Sequence, residues 1–130
     1  MSGDTEYSLI DSSISSSNDS TSYSLSVGAK KVTIQNSTID SIYDKSNWNY
    51  ARPNTTIINS SENLIIQNST IKGNNAVVIL NDMPENKIEI DKDSKIESLG
   101  LSGISIYNRD GEVELNGTSI TSSNNAILSG

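Results

Sequence analysis

Two acidic stretches are the residues of this chain whose type and spacing first suggest chemistry. "EIDKDSKIE" carries Glu89, Asp91, Asp93 and Glu97, and "RDGEVE" carries Asp110, Glu112 and Glu114. Clustered carboxylates serve glycan-cleaving proteins as an acid and base pair, or hold calcium. Glu89 and Glu114 flank inward-facing residues and are expected on one outer face, one coil apart, where they either bind a cation or are solvated. Lys87, Lys92 and Lys95 are interleaved with the first cluster, which suits a solvated face of mixed charge. The run "DKDS" also lacks the glycine and distal acid of a calcium loop. Histidine and cysteine are both absent, which removes the commonest general base, the commonest zinc ligand and all thiol chemistry. No catalytic residue, metal or cofactor is therefore expected.

A second candidate is aromatic. The stretch "YDKSNWNYARPN" gathers the single tryptophan and two of the five tyrosines. Tyr43, Trp48 and Tyr50 are suited to stack on a sugar ring or fill a pocket on a protein partner, with Asn47 and Arg52 supplying directed hydrogen bonds. Pro53 would stiffen the return to the next strand. The competing role is structural, with Trp48 folded down over a coil face.

The elements that position these residues follow from composition and periodicity. The chain has 130 residues, enough for one domain with a modest core. Its 33% hydrophobic content is mostly Ile, Leu and Val, with no Phe. A net charge of −7 speaks against a nucleic-acid partner, since phosphate backbones demand a surplus of Lys and Arg on some face. No apolar run is long enough to span a bilayer, so direct membrane insertion is not expected. The opening "MSGDTEYSLI" has no basic region followed by an apolar segment, the pattern of a secretory signal.

Five segments align with one another: "YSLIDSSI" from Tyr7, "VTIQNSTI" from Val32, "LIIQNSTI" from Leu64, "IEIDKDSKI" from Ile88 and "VELNGTSI" from Val113. Their starts lie 25, 32, 24 and 25 residues apart, the signature of a solenoid with one insertion. Within each segment apolar and polar residues alternate, as in a strand with one buried face. One column reads Tyr7, Val32, Leu64, Ile88, Val113; a second reads Leu9, Ile34, Ile66, Ile90, Leu115; a third is Ile14, Ile39, Ile71, Ile96, Ile120. A further strand recurs near Leu25, Ile57, Val78 and Ile104, and again in "NNAILSG", with Ala76, Gly103 and Ala126 as the small residues that precede it. Between the columns run polar corners, Asp11, Asn36, Asn68, Asp93 and Gly117, types that tolerate a left-handed backbone.

The pattern predicts an all-β parallel β-helix (β-solenoid) of about four to five coils of about 25 residues. Residues 1–6 are expected to be an N-terminal tail or partial cap, and 7–130 the β-helix, with a loop insertion at about 43–54. The last coil stops after "NNAILSG" at an open sheet edge, which points to a length taken from a longer chain, with end-to-end assembly as the alternative.

The phrases "VTIQNSTIDS", "LIIQNSTIKGNNAVVIL" and "LNGTSITSSNNAILSG" resemble the repeats of bacterial autotransporter passenger domains of the pertactin and adhesin type, over about Tyr7 to Gly130. The resemblance implies a right-handed, three-faced parallel β-helix, secreted and displayed at the bacterial cell surface. Members of that family mostly act in adhesion, self-association or biofilm formation, and the absence of cysteine agrees with their export route. The expected function is thus that of a non-enzymatic adhesin fragment whose partner is another copy of itself or a host protein or glycan. The alternative is a polysaccharide-cleaving or phage tailspike-like β-helix enzyme, because the same coils carry both kinds of activity. Asn18, Asn36, Asn54, Asn59, Asn68 and Asn116 each begin an Asn-x-Ser/Thr triplet, a pattern that also arises by chance in so Asn- and Ser-rich a chain.

Overall fold

A computed structural model of the chain describes residues 2–16, 23–41, 55–74, 77–81, 83–99, 104–109, 111–122 and 127–129. Every regular element among them is a strand, and every strand pair is parallel. The chain is a parallel β-solenoid of about four turns of roughly 25 residues, with three faces.

Face A stacks β1 (Ser2–Ile10), the second half of β3 (Leu25–Gln35), β6 (Asn63–Gln67), β9 (Lys87–Ile90) and β12 (Glu112–Leu115). Face B stacks β2 (Ser13–Ser16), β4 (Thr38–Ser41), β7 (Thr70–Gly73), β10 (Lys95–Ser98) and β13 (Ser119–Thr121). Face C begins with the first residues of β3 and continues through β5 (Thr55–Asn59), β8 (Val77–Asn81), β11 (Ile104–Asn108) and β14 (Ile127–Ser129). The long strand β3 turns the corner from face C to face A, since Leu25–Val27 pair with β5 and Lys31–Gln35 with β6.

Alternation dictates what is inside. The columns Val32–Leu64–Ile88, Ile34–Ile66–Ile90 and Ile39–Ile71–Ile96 are opposed in register and fully buried in one core. Burying one such side chain stabilises the fold by about 1.5–3 kcal/mol relative to leaving it in water. On face C the paired inward column is Leu25, Ile57, Ile79, Ile106 and Ile127, and Val78, next to Ile79, is buried in the same core, so the inward positions here do not alternate strictly. The reason is that Val77–Asn81 is buried on both sides, which erases the alternation that would set the register in the sequence. Its outward residues Val77 and Leu80 form a second small cluster with Tyr107, whose ring also carries the Arg109 guanidinium at 5.5 Å.

The corners between faces A and B are built from polar residues. Asp11, Asn36, Asn68 and Gly117 all have positive φ, and the Asn68 amide donates to the Asn36 carbonyl oxygen at 2.7 Å. The adjoining hydroxyls form a ladder: the backbone N–H of Ser12 donates to Ser37 Oγ, that of Ser37 to Ser69 Oγ, and that of Ser69 to Ser94 Oγ, each at 3.1 Å. Asp93 departs from the column and has no positive φ. Its coil holds one extra residue between Ile90 and Ile96, and the Asp91 carboxylate closes that wider turn. Asp91 accepts from the Asn68 and Asp93 N–H groups and from Ser94 Oγ.

Two polar features of the interior have no counterpart in the alternation. Asn59 Nδ2 donates to Asn81 Oδ1 at 2.9 Å, Asn81 Nδ2 to Asn108 Oδ1 at 2.8 Å, and Asn108 Nδ2 to the Gly111 carbonyl at 2.9 Å. Gly111 has φ +139, and a Cβ there would meet Asn81 Nδ2 at 2.6 Å and the Asn86 carbonyl at 2.7 Å, so only glycine closes this ladder. At the corner from B to C, Ser24, Thr56 and Ser105 hydroxyls donate to the carbonyls of Asp40, Lys72 and Thr121. The Ser41 and Thr56 hydroxyls also share a hydrogen bond at 2.7 Å.

At the N-terminus, Ser2 to Glu6 belong to β1, which pairs with β3 across a bulge between Gly3 and Glu6. Backbone pairing across that corner needs no apolar side chain, which is why alternation alone places the start of the strand at Tyr7.

The asparagine ladder makes a quantitative prediction. Asn81→Ala leaves Asn59 Nδ2 and Asn108 Oδ1 buried without partners and should cost about 2–4 kcal/mol. Asn36→Gly, at an exposed left-handed corner, should cost less than about 1 kcal/mol. Urea denaturation followed by circular dichroism separates the two; equal losses would show that the interior ladder contributes nothing special.

Candidate functional site

Because the inward columns are in register, the outward residues are too. On face A one outer row runs Glu6, Lys31, Asn63, Lys87, Glu112, and the next runs Ser8, Thr33, Ile65, Glu89, Glu114. On face B the rows are Ser13, Thr38, Thr70, Lys95, Ser119 and Ser15, Asp40, Lys72, Glu97, Thr121. Neighbours in a row lie about 4.8 Å apart, the strand spacing. Each face is thus a rigid array of hydroxyl, amide and charged groups. Shallow depressions on face A are lined by Ile65, Gln67, Glu89, Asp91 and Asn116 and, further along, by Glu6, Lys31, Glu62, Glu85 and Lys87.

Glu89 and Glu114 are directly opposed on neighbouring strands, on one face and one coil apart. They do not stand as a bare acidic pair. Lys87 Nζ lies 3.0 Å from Glu114 Oε2 and 3.5 Å from Glu89 Oε1, so one ammonium serves both carboxylates. The hydrogen bond to Glu114 and the charges of Glu114 and Glu89 raise the Lys87 pKa above the ordinary lysine value of 10.5. Asp91 is engaged at the corner, as described above. Among the described residues no three acidic side chains gather in a way that could hold a metal ion.

Tyr43, Asn47, Trp48, Tyr50 and Arg52 lie outside the described residues. What is placed is where their segment leaves and rejoins the solenoid: residues 42–54 connect Ser41, the end of β4, to Thr55, the start of β5. That is the corner from face B to face C, which the next coil turns with residues 74–76 alone. Ala76, Gly103, Asp110 and Ala126 also lie outside the described residues, as do Asn18 and Asn54. Asn59 is fully buried in the interior ladder and so is closed to modification in the folded chain. Asn36, Asn68 and Asn116 are exposed at corners.

The inner asparagine ladder and the aromatic and cationic patch of Tyr107 and Arg109 escaped sequence reasoning. A signal for the ladder exists in "IIN", "VILN" and "IYN", where Asn follows the face C apolar residues at a constant offset. Fold and faces together define a class: a parallel β-solenoid that presents flat, in-register polar surfaces. No family model, curated protein or solved structure matches the chain.

The Lys87 bridge predicts a pH dependence with a definite sign. A pKa raised by folding means the folded chain holds the proton more tightly, so the contribution is complete below 10.5 and fades as pH climbs through the folded value. Lys87→Met should therefore narrow the gap in denaturation midpoint between pH 9 and pH 11.5 relative to the parent chain, and high salt should shrink the effect. An unchanged alkaline profile in the variant would show that the bridge is not formed in solution.

Proposed function

We propose that this chain is a length of a secreted or surface-displayed bacterial adhesin, which acts without catalysis by presenting its side faces to another copy of itself or to a host protein or glycan. The observation that carries this reading is the in-register outer array on faces A and B. A rigid face loses little conformational freedom on binding, so many individually weak polar contacts add up. Repetition along the axis makes the surface multivalent, and multivalency raises avidity without any single strong contact. Residues 42–54 join β4 on face B to β5 on face C, and by residue type Trp48, Tyr50 and Arg52 are suited to add a few stronger contacts. The cysteine-free sequence and the resemblance of its repeats to autotransporter passenger domains support a place at the cell surface.

The test is sedimentation velocity over a dilution series, with binding to immobilised matrix proteins and glycans measured alongside. Concentration-dependent association or retention should appear in the parent chain and fall in Thr38→Arg/Thr70→Arg, which sets two bulky charges at the centre of face B. Trp48, as the single tryptophan, should become less accessible to a quencher in the bound state. A chain that stays monomeric at every concentration and binds no immobilised ligand would overturn the proposal.

A further inference from the structure

One corner from face C to face A is longer than its neighbours. β8 ends at Asn81 and β9 begins at Lys87, so residues 82–86 turn this corner, where 60–62 and 109–111 turn the ones on either side. The longer turn carries Glu85 at φ +65, a left-handed conformation that costs any residue with a Cβ and that glycine would adopt freely. The ladder resumes directly after it: Lys87 N–H donates to the Glu62 carbonyl, and the Asn86 carbonyl accepts from Glu112 N–H.

The extra length brings Glu85 to a depression on face A. The walls hold three ammonium groups, Lys30, Lys31 and Lys87, and three carboxylates, Glu6, Glu62 and Glu85. Lys87 is committed to Glu89 and Glu114, but among the described residues neither Lys30 nor Lys31 forms an ion pair. Asn63 also lines the depression and stands between Lys31 and Lys87 in the outer row, one strand spacing, about 4.8 Å, from each. Its Oδ1 is buried without a hydrogen-bond partner, and its Nδ2 makes no bond to the protein either. Donors and acceptors thus line one hollow without being spent on each other.

The mixture of groups selects a ligand. Lys30, Lys31 and the Asn63 NH2 donate, and suit a carboxylate. Glu6, Glu62 and Glu85 only accept when ionised, and need donors. An acidic peptide or a polyphosphate would bring repeated negative charge against those three glutamates. A sugar acid brings one carboxylate and several hydroxyls on each ring, and satisfies both sets. The hollow crosses four coils, about 14 Å from Glu6 to Lys87 at the strand spacing. Its volume, about 410 Å³, is that of a small-molecule site.

We propose, on the reading of face A as a binding surface, that this hollow takes a carboxylate-bearing sugar of an acidic polysaccharide. Lys30, Lys31 and the Asn63 amide hold the sugar carboxylate, and ring hydroxyls donate to Glu62 and Glu85. The strained backbone at Glu85 is then the cost of placing an acceptor at the rim.

The test titrates two probes of equal length, an oligogalacturonate and its fully methyl-esterified form, into isotope-labelled protein followed by NMR. The acid should move the backbone signals of Lys31, Asn63 and Lys87 and the side-chain NH2 of Asn63, and the ester should bind about tenfold or more weakly. Lys31→Gln should weaken binding of the acid about threefold or more, while Lys92→Gln, which removes the same charge from the corner between faces A and B, should leave it unchanged. Glu85→Gln separates recognition from attraction. Removing a negative charge strengthens the binding of any anion, whereas losing an acceptor for ring hydroxyls weakens it, and weakening is expected. Equal binding of acid and ester, equal losses in Lys31→Gln and Lys92→Gln, tighter binding by Glu85→Gln, or no binding of either probe overturns the proposal. Self-association, or retention on other immobilised ligands, in a chain that binds neither probe would leave the adhesin reading standing.

Discussion

Everything in this molecule depends on the inability of a single coil to bury its own apolar residues. A turn of roughly 25 residues with three short strands has an inward stripe but no interior. It gains one only when a second turn of the same shape lies against it. Ile71 is buried because Ile39 and Ile96 lie on either side of it, and the same holds for Leu64 and Ile66 on face A. Parallel pairing at a fixed spacing follows, since it is the arrangement that keeps each inward side chain over its counterpart while every interior backbone group finds a partner.

That constraint reaches the corners and the surface. Corners must repeat for coils to stack, so left-handed residues recur in a column, and the one coil with an extra corner residue needs the Asp91 carboxylate to satisfy the groups the longer turn leaves open. Inside, Asn59, Asn81 and Asn108 tolerate burial because each amide bonds the next along the axis, with Gly111 accepting the last donor. Outside, the rows of Thr, Ser, Lys and Glu are ordered as a consequence of the interior, not through strong contacts of their own.

Faces A and B were legible in the sequence because each has one side in water. Alternation in "VTIQNSTI" and "LIIQNSTI" identifies the buried residues and sets the register at once. Face C was legible only as a strand, because Val77–Asn81 is covered on both sides and a continuous apolar run carries no period. Asp93 looked like a left-handed corner from its residue type, yet one extra residue in its coil handed that place to a side-chain-closed turn. The buried asparagines were hidden because polar residues are assigned outward by default, although their constant offset carried the information. Of the candidate site, the Glu89 and Glu114 pairing followed from strand alternation, while the Lys87 bridge depends on side-chain reach that no pattern encodes.

The in-register stack itself is most directly tested by disulfide cross-linking, which is clean in a chain without cysteine. Thr38 and Thr70 face each other on adjacent coils, and Lys95 lies one coil further along the same row. Strand spacing sets the first pair about 5 Å apart, within disulfide reach, and Thr38 and Lys95 about 10 Å apart, beyond it. In-register stacking predicts that Thr38→Cys/Thr70→Cys oxidises to an intramolecular disulfide in dilute solution while Thr38→Cys/Lys95→Cys stays reduced. Equal oxidation of both pairs, or preferential oxidation of the second, would contradict it.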